Sequence, residues 1–336
     1  MKKFLLVRII LLICLLGVMV CLIGCAPSVS VHTGTISGVI NVYWPGVGFE
    51  PDAARIDVLD EGIFTVSSFS DGSYTLSNIP VGQHTIIVFK HGYITTQQII
   101  NVVEDQTITD VNFNLETEIS AEQLGSIYFL GFNLNQPPFH NLKVRQALNH
   151  AIDKQTLVNE FNLEFGLSKV VAQGPLPPSM MGYNSNLVGY SYDVNTAQGL
   201  LSQAGYPDGF NTELYINENP GNRFIAEKVK DYLAQVGISV EIQVVEDWYE
   251  YLNMLEQGDL PFFRMRWIAD TPDPTDFLYS LFHTEGYANN VHYYNSVIDN
   301  QIKQAWETID EANFVQLIQQ IEENIVNDTP AIFIYH

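Results

Sequence analysis

Three acids at a spacing of three follow Trp267: Asp270 and Asp273 in the run Trp267-Ile268-Ala269-Asp270-Thr271-Pro272-Asp273-Pro274, and Asp276 two residues beyond it. Carboxylates offer charge-assisted hydrogen bonds to an ammonium group. As a metal site the trio is a poor candidate, because Pro272 and Pro274 impose an irregular backbone unlike a calcium loop with its obligatory glycine. For Asp270 the alternative is a solvated or capping aspartate. Upstream, strand alternation puts Arg264, Arg266 and Ile268 on one face and Met265 and Trp267 on the other. Arg264 is a candidate anion partner, and an exposed face balancing local acid is the rival reading. The indoles of Trp267 and Trp248 have broad apolar faces suited to lining a side-chain pocket; core packing competes for each.

Catalysis is not motivated. The chain has no His-Glu-x-x-His, no Gly-x-Ser-x-Gly, no Walker glycine loop and no dinucleotide fingerprint. Its eight histidines are scattered between His32 and His336, and the nearest pairs, His84 with His91 and His283 with His292, lack zinc spacing and a third ligand. Cys14, Cys21 and Cys25 all fall in the first 25 residues, so the folded part holds neither a disulfide framework nor a four-cysteine zinc site. No cofactor, metal or catalytic residue is expected.

The chain of 336 residues is long enough for two domains, with 46% hydrophobic and 16% charged residues. Its formal charge of −23 repels phosphate backbones, which argues against nucleic acid as a partner. Lys2, Lys3 and Arg8 precede an uncharged run from Ile9 to Gly24, the layout of a secretory signal. The run is short for a membrane span of about 20 residues.

Residues 35–116 alternate short Val/Ile/Thr/Tyr/Phe runs with Gly, Pro, Asn and Asp punctuation and read as all-β. Asp71-Gly72 suits a tight turn before Ser73-Tyr74-Thr75-Leu76, and His84 to Phe89 is the strongest strand. Alternation places most of Trp44, Phe64, Phe69, Tyr74, Phe89 and Tyr93 in a sandwich core. After a polar connection at 117–125 the period changes. Val144, Ala147, Leu148, Ala151 and Ile152 form a helical stripe, a second helix follows Asp153, and Asp193 and Asp247 are helix caps. Strands and helices then alternate to a closing strand at Ala331–Tyr335, which makes 126–336 an α/β domain. The fold class is therefore α+β multidomain.

Several motifs carry family resemblances. Leu22-Ile23-Gly24-Cys25 resembles the bacterial lipoprotein box, which implies a signal peptide at 1–24, lipidation of Cys25, a tether at 25–34 and an extracytoplasmic, membrane-anchored protein. The series Asp71-Gly72-Ser73-Tyr74-Thr75-Leu76, Asn78-Ile79-Pro80-Val81-Gly82 and Gly92-Tyr93 resembles the carboxypeptidase regulatory-like module, a prealbumin-like sandwich that serves as spacer, stabiliser or weak binding surface. Phe132-Asn133, Pro137-Pro138-Phe139, Val144-Arg145-Gln146-Ala147-Leu148, Gly174-Pro175-Leu176-Pro177-Pro178, the Trp267 run and Asn327-Asp328-Thr329-Pro330 resemble, in order, the C-terminal lobe of family 5 extracellular solute-binding proteins. These are the oligopeptide, dipeptide and nickel receptors of ABC importers, with a type II periplasmic-binding-protein fold.

That resemblance implies that Asp270 binds a peptide's free α-amino group, that Arg264 matches a carboxylate-holding position of some oligopeptide receptors, and that Trp267 and Trp248 line side-chain pockets. Asn289 and Asn290 fall near the cleft edge. Family members are two-lobed clamps, and the lobe expected before Arg145 is replaced here by the β-sandwich. Surfaces near Phe129, Phe132 and Tyr335 are then expected to be exposed unless the sandwich covers them. The expected activity is binding of a peptide or other small solute, with an ABC permease and a separate chain supplying the missing lobe as partners. The competing expectation is a structural or interaction lipoprotein, or a remnant without transport function.

Overall fold

A computed structural model describes residues 32–120 and 123–336. The apolar leader and Cys14, Cys21 and Cys25 lie outside the described residues. The first unit is built from nine strands: β1 (Thr33–Trp44), β2 (Gly48–Pro51), β3 (Arg55–Val58), β4 (Ile63–Val66), β5 (Ser73–Pro80), β6 (Gly82–Phe89), β7 (Thr96–Val102), β8 (Thr107–Ile108) and β9 (Phe113–Leu115). One sheet has the order β2-β1-β5, with β8 and β9 pairing in parallel along β1, and the other has the order β4-β3-β6-β7. Alternate residues point inward, so Ile36, Ile40 and Val42 of one sheet meet Ile56, Val58, Ile86 and Val88 of the other in a single core. The turn before β5 requires its glycine: Gly72 has φ +64°, a Cβ there would lie 2.2 Å from the Ile40 carbonyl oxygen, and the Asp71 side chain accepts from the Ser73 amide at 3.1 Å.

The aromatic residues depart from the expected core placement. Only Tyr74 and Tyr93 of the six are buried among the core residues of this unit, while Phe64 is 44% exposed beneath the Arg55 guanidinium. Trp44 and Phe89 end their strands and Phe69 follows β4 in a loop, positions where strict alternation no longer assigns a face. Phe69 and Phe89 instead meet the second unit or the residues that contact it.

The second unit runs through β10 (Ser126–Phe132), α1 (Leu142–Ala151), α2 (Lys154–Phe165), α3 (Val194–Gln203), β11 (Asn211–Asn217), α4 (Pro220–Ala234), β12 (Ser239–Val245), α5 (Trp248–Gln257) and β13 (Phe262–Ile268). It continues through α6 (Pro274–Phe282), α7 (Ser296–Glu307), α8 (Glu311–Asp328) and β14 (Ala331–Tyr335). The sheet order is β12-β11-β13-β10-β14, with β11 parallel to β12 and β13 and β10 antiparallel to both neighbours. Helices α1 to α4 cover one sheet face and α5 to α8 the other, giving a three-layer α/β/α body with two cores. Aspartates 153, 193, 247 and 273 each accept a backbone N–H from the first turn of the helix they precede.

Two expectations are corrected here. Phe129, Phe132 and Tyr335 are not exposed; they retain 3%, 0% and 7% of their surface. The reason is that β10 lies between β13 and β14 with helices on both faces, so this unit closes its own core. The segment after Pro272 is not irregular throughout. Pro274 is the first residue of α6, where a proline's missing N–H costs nothing and its φ is preset, and the Asp273 carboxylate caps the helix at 2.8 Å from the Thr275 amide.

Arg145 shows how the Val144–Leu148 motif holds this body together. It is buried on α1, and its guanidinium donates to the carbonyls of Phe139 (2.8 Å), Asp328 (2.6 Å) and Thr329 (2.8 Å), tying α1 to the end of α8. Burial pulls its pKa down to about 10, yet it stays charged. Arg145→Met should lower unfolding stability by about 3 kcal/mol, since three buried acceptors lose a charged donor. Urea denaturation checks this, and an unchanged midpoint would sink it.

The first unit sits on α6, α7 and the start of α8. The His91 ring stacks on Phe314 with centroids 3.5 Å apart, and its Nε2 lies 2.8 Å from the Thr308 carbonyl oxygen. Phe69 packs on Tyr279 at 4.2 Å, and Arg55 donates to the Glu307 carbonyl. At the centre is Lys90, the residue after β6. Its Nζ is 2.8 Å from Asp276, 3.2 Å from Asp273 and 3.6 Å from Asp52, and it donates to the Ala53 carbonyl at 2.9 Å. Asp273 and Asp276 are thus occupied by a lysine from the sandwich.

Candidate ligand-binding site

Strand β13 delivers Trp267 to the face covered by α5 to α8, and the chain then bends through Asp270 and Thr271 before α6 begins. The bend is fixed on one side by the Ala269 amide, which donates to the Gly125 carbonyl at 2.9 Å. On the other side the Thr271 hydroxyl donates to Asp276 at 2.6 Å. Asp270 is left partly buried between them. The one polar contact to its carboxylate among the described residues is the Tyr287 hydroxyl at 3.5 Å, the outer limit of a hydrogen bond. Loss of solvent raises its pKa above the ordinary 3.8, and the Tyr287 contact opposes that rise.

Asp270 opens on a small cavity bounded by Trp267, Phe277 and Tyr287 of its own unit and by Trp44 and Phe69 of the sandwich. Its free volume is about 10 Å³, room for roughly one water-sized group. The Trp267 and Tyr287 rings lie 5.6 Å apart. The Trp44 Nε1–H is buried with no acceptor among the described residues. Tyr287 also borders a second, open hollow of about 440 Å³ lined by Asn135, Glu256, Asn290 and Tyr294. The arrangement is that of a carboxylate bordered by aromatic side chains, a setting whose chemistry suits an organic cation through a charge-assisted hydrogen bond.

The other candidates lie elsewhere. Arg264 faces the opposite side of the sheet, donating to the Asn217 side chain at 2.8 Å with its guanidinium 5.3 Å from the Tyr128 ring centroid. It is therefore not brought together with Trp267 and Asp270. Trp248 opens α5, is 38% exposed and stacks on Tyr251 at 5.7 Å, outside the Asp270 cavity. Asn289 and Asn290 both border the open hollow, and the Asn289 side-chain amide also donates to the carbonyls of His283 and Tyr293. Among the described residues no group of three or more His, Cys, Asp or Glu could hold a metal ion. Sequence reasoning missed Tyr287, Trp44 and Phe69 as neighbours of Asp270.

Solved structures share the α/β body. The Helicobacter pylori periplasmic binding protein DppA, in complex with the peptide STSA, aligns with a TM-score of 0.58 at 23% identity, over 76% of this chain and 55% of that one. The Bacillus subtilis oligopeptide-binding protein AppA, in complex with a nonapeptide, aligns with a TM-score of 0.57 at 26% identity, over 63% of this chain and 44% of that one. The α/β body is thus periplasmic-binding-protein-like in fold.

The model of the bacterial extracellular solute-binding proteins, family 5 (middle), matches residues 90–289, more than half of the chain, and the chain belongs to that family. The matched range begins inside the β-rich unit, at Lys90. Similar proteins include heme-binding protein A of Haemophilus influenzae, 32% identical over 223 residues, which are 64% of this chain and 40% of that protein. The dipeptide-binding protein of Escherichia coli is 31% identical over 219 residues, 63% of this chain and 40% of that protein. The chain thus spans about 40% of the length of these curated relatives. Its family consists of binding proteins, not enzymes. None of the described helices is long and apolar enough to cross a membrane.

Proposed function

We propose that this protein is an extracytoplasmic solute-binding component, and that the solute is a peptide or other small molecule whose primary ammonium group is held by Asp270. The observation that carries the reading is a partly buried carboxylate with no cationic partner among the described residues, bordered by the aromatic rings of Trp267 and Tyr287. Elsewhere in the chain the buried carboxylates of Asp273 and Asp276 are paired with Lys90; at Asp270 the counter-charge is left to a ligand. The dipeptide and oligopeptide receptors among its relatives support a peptide as the solute. Delivery to an ABC permease, with a complementary lobe from another chain, is the transport role that follows. Mixing the mature chain with a peptide library should raise its melting temperature and shift Trp fluorescence. No change in either would sink the reading.

The β-sandwich is proposed to be a carboxypeptidase regulatory-like, prealbumin-like module, and Cys25 to be the acylated residue that holds the protein at a bacterial membrane. More than one acyl chain would make that attachment stable. Cys25→Ser should move the protein from the membrane fraction to the soluble fraction; retention on the membrane would refute the anchor. A second reading, a structural or interaction lipoprotein, is favoured by the small free volume beside Asp270. It predicts no melting shift with peptides.

A further inference from the structure

We infer that the β-sandwich supplies the second wall of the ligand site: Trp44 and Phe69 roof the Asp270 pocket and restrict it to a single unsubstituted ammonium group. The inference rests on the reading of Asp270 as an ammonium site and adds to it the residues that set its selectivity. Trp44 ends β1 and Phe69 follows β4, yet both border the same cavity as Asp270, Trp267 and Tyr287. The free volume of about 10 Å³ admits one group the size of a water molecule. A protonated primary amine is of that size. Each N-methyl group adds bulk comparable to the whole space, so a methylated or acylated amine meets the two rings.

The roof is held in register with the carboxylate it covers. Lys90 of the sandwich bonds Asp276 at 2.8 Å and Asp273 at 3.2 Å, and these lie six and three residues beyond Asp270 on the same segment. Gly92 packs so closely on Pro272 that an added Cβ would come within 2.9 Å of its ring. The sandwich is therefore fixed a few residues from the site.

Calorimetric titration of the mature chain with trialanine and with N,N-dimethyl-trialanine tests this, using the parent, Trp44→Ala, Phe69→Ala and Asp270→Asn. The parent should prefer the free amine by at least about tenfold, in line with the discrimination a tight pocket exerts against one or two extra carbons. Trp44→Ala or Phe69→Ala should gain affinity for the dimethylated peptide and narrow that preference by about tenfold. A gain of binding cannot arise from misfolding, and melting curves of each variant accompany the titrations. If Asp270→Asn loses trialanine while both roof variants keep the parent's preference, the roof is overturned and the ammonium site stands. If the parent binds neither peptide, or Asp270→Asn binds trialanine like the parent, the ammonium site falls and the roof with it.

Discussion

Lys90→Met should reduce stability by about 3–5 kcal/mol at neutral pH, the usual cost of removing one partner from a buried ionic cluster. The side chain of Lys90 is 2% exposed, and those of Asp52, Asp273 and Asp276 are 1%, 3% and 8% exposed. Burial opposes the lysine's charge, but attraction from Asp273, Asp276 and Asp52 outweighs it and holds the ammonium well above its ordinary range. Burial raises the pKa of both Asp52 and Asp276, with their proximity to other carboxylates adding to it and Lys90 acting against it.

The sign of the pH dependence follows. A carboxyl whose folded pKa lies above its unfolded value stabilises the fold below that unfolded value and loses the contribution as pH rises through the folded one. Without Lys90 that loss is no longer offset. The deficit of Lys90→Met should therefore be larger at pH 8 than at pH 5, where Asp52 and Asp276 hold protons more readily. Thermal melts at both values check this, and adding Asp52→Asn and Asp276→Asn should restore part of the loss. A variant melting like the parent at pH 8 would show that the cluster does not hold the two units together.

Asp270→Asn is expected to weaken peptide binding by roughly tenfold to a hundredfold, the range for losing a hydrogen bond to a charged group. Asparagine keeps the shape and removes the charge, so the fold should persist. Because loss of solvent raises the Asp270 pKa above 3.8, the parent's affinity should fall on acidification at a pH above that ordinary value, as the carboxylate takes up a proton and ceases to attract the ligand's ammonium. The variant should lack this dependence. Calorimetric titration between pH 4 and 8 makes the comparison, and equal affinities across the range for both proteins would remove Asp270 from the site.

Periodicity and capping made the helices legible. The stripe at Val144, Ala147, Leu148 and Ala151 is the buried face of α1, and Asp193 and Asp247 cap α3 and α5 as their spacing implies. Strand β10 escaped notice because six of its seven residues are buried, and a strand covered on both faces shows no alternation. Helix α6 was hidden by its flanking prolines, of which Pro274 starts the helix. At the candidate site, the proximity of Trp267 and Asp270 was legible because both lie on one short segment. Trp44, Phe69 and Lys90 were not, since nothing near them in sequence signals a partner some 180 to 230 residues away. The alternation that put Arg264 and Trp267 on different faces did carry information: the two side chains belong to opposite sides of the sheet.

The first and last strands of the α/β body, β10 and β14, are hydrogen-bonded neighbours, with Tyr128 opposite Tyr335. The strand by which the chain enters this body is therefore zipped to the strand at Ala331–Tyr335, and the β-sandwich is joined to the body beside that pair. What that unit adds is the pair of rings, Trp44 and Phe69, that it lowers onto the Asp270 rim; under the proposed reading, exchanging it for another neighbour would change selectivity while the segment that carries Asp270 stays unaltered.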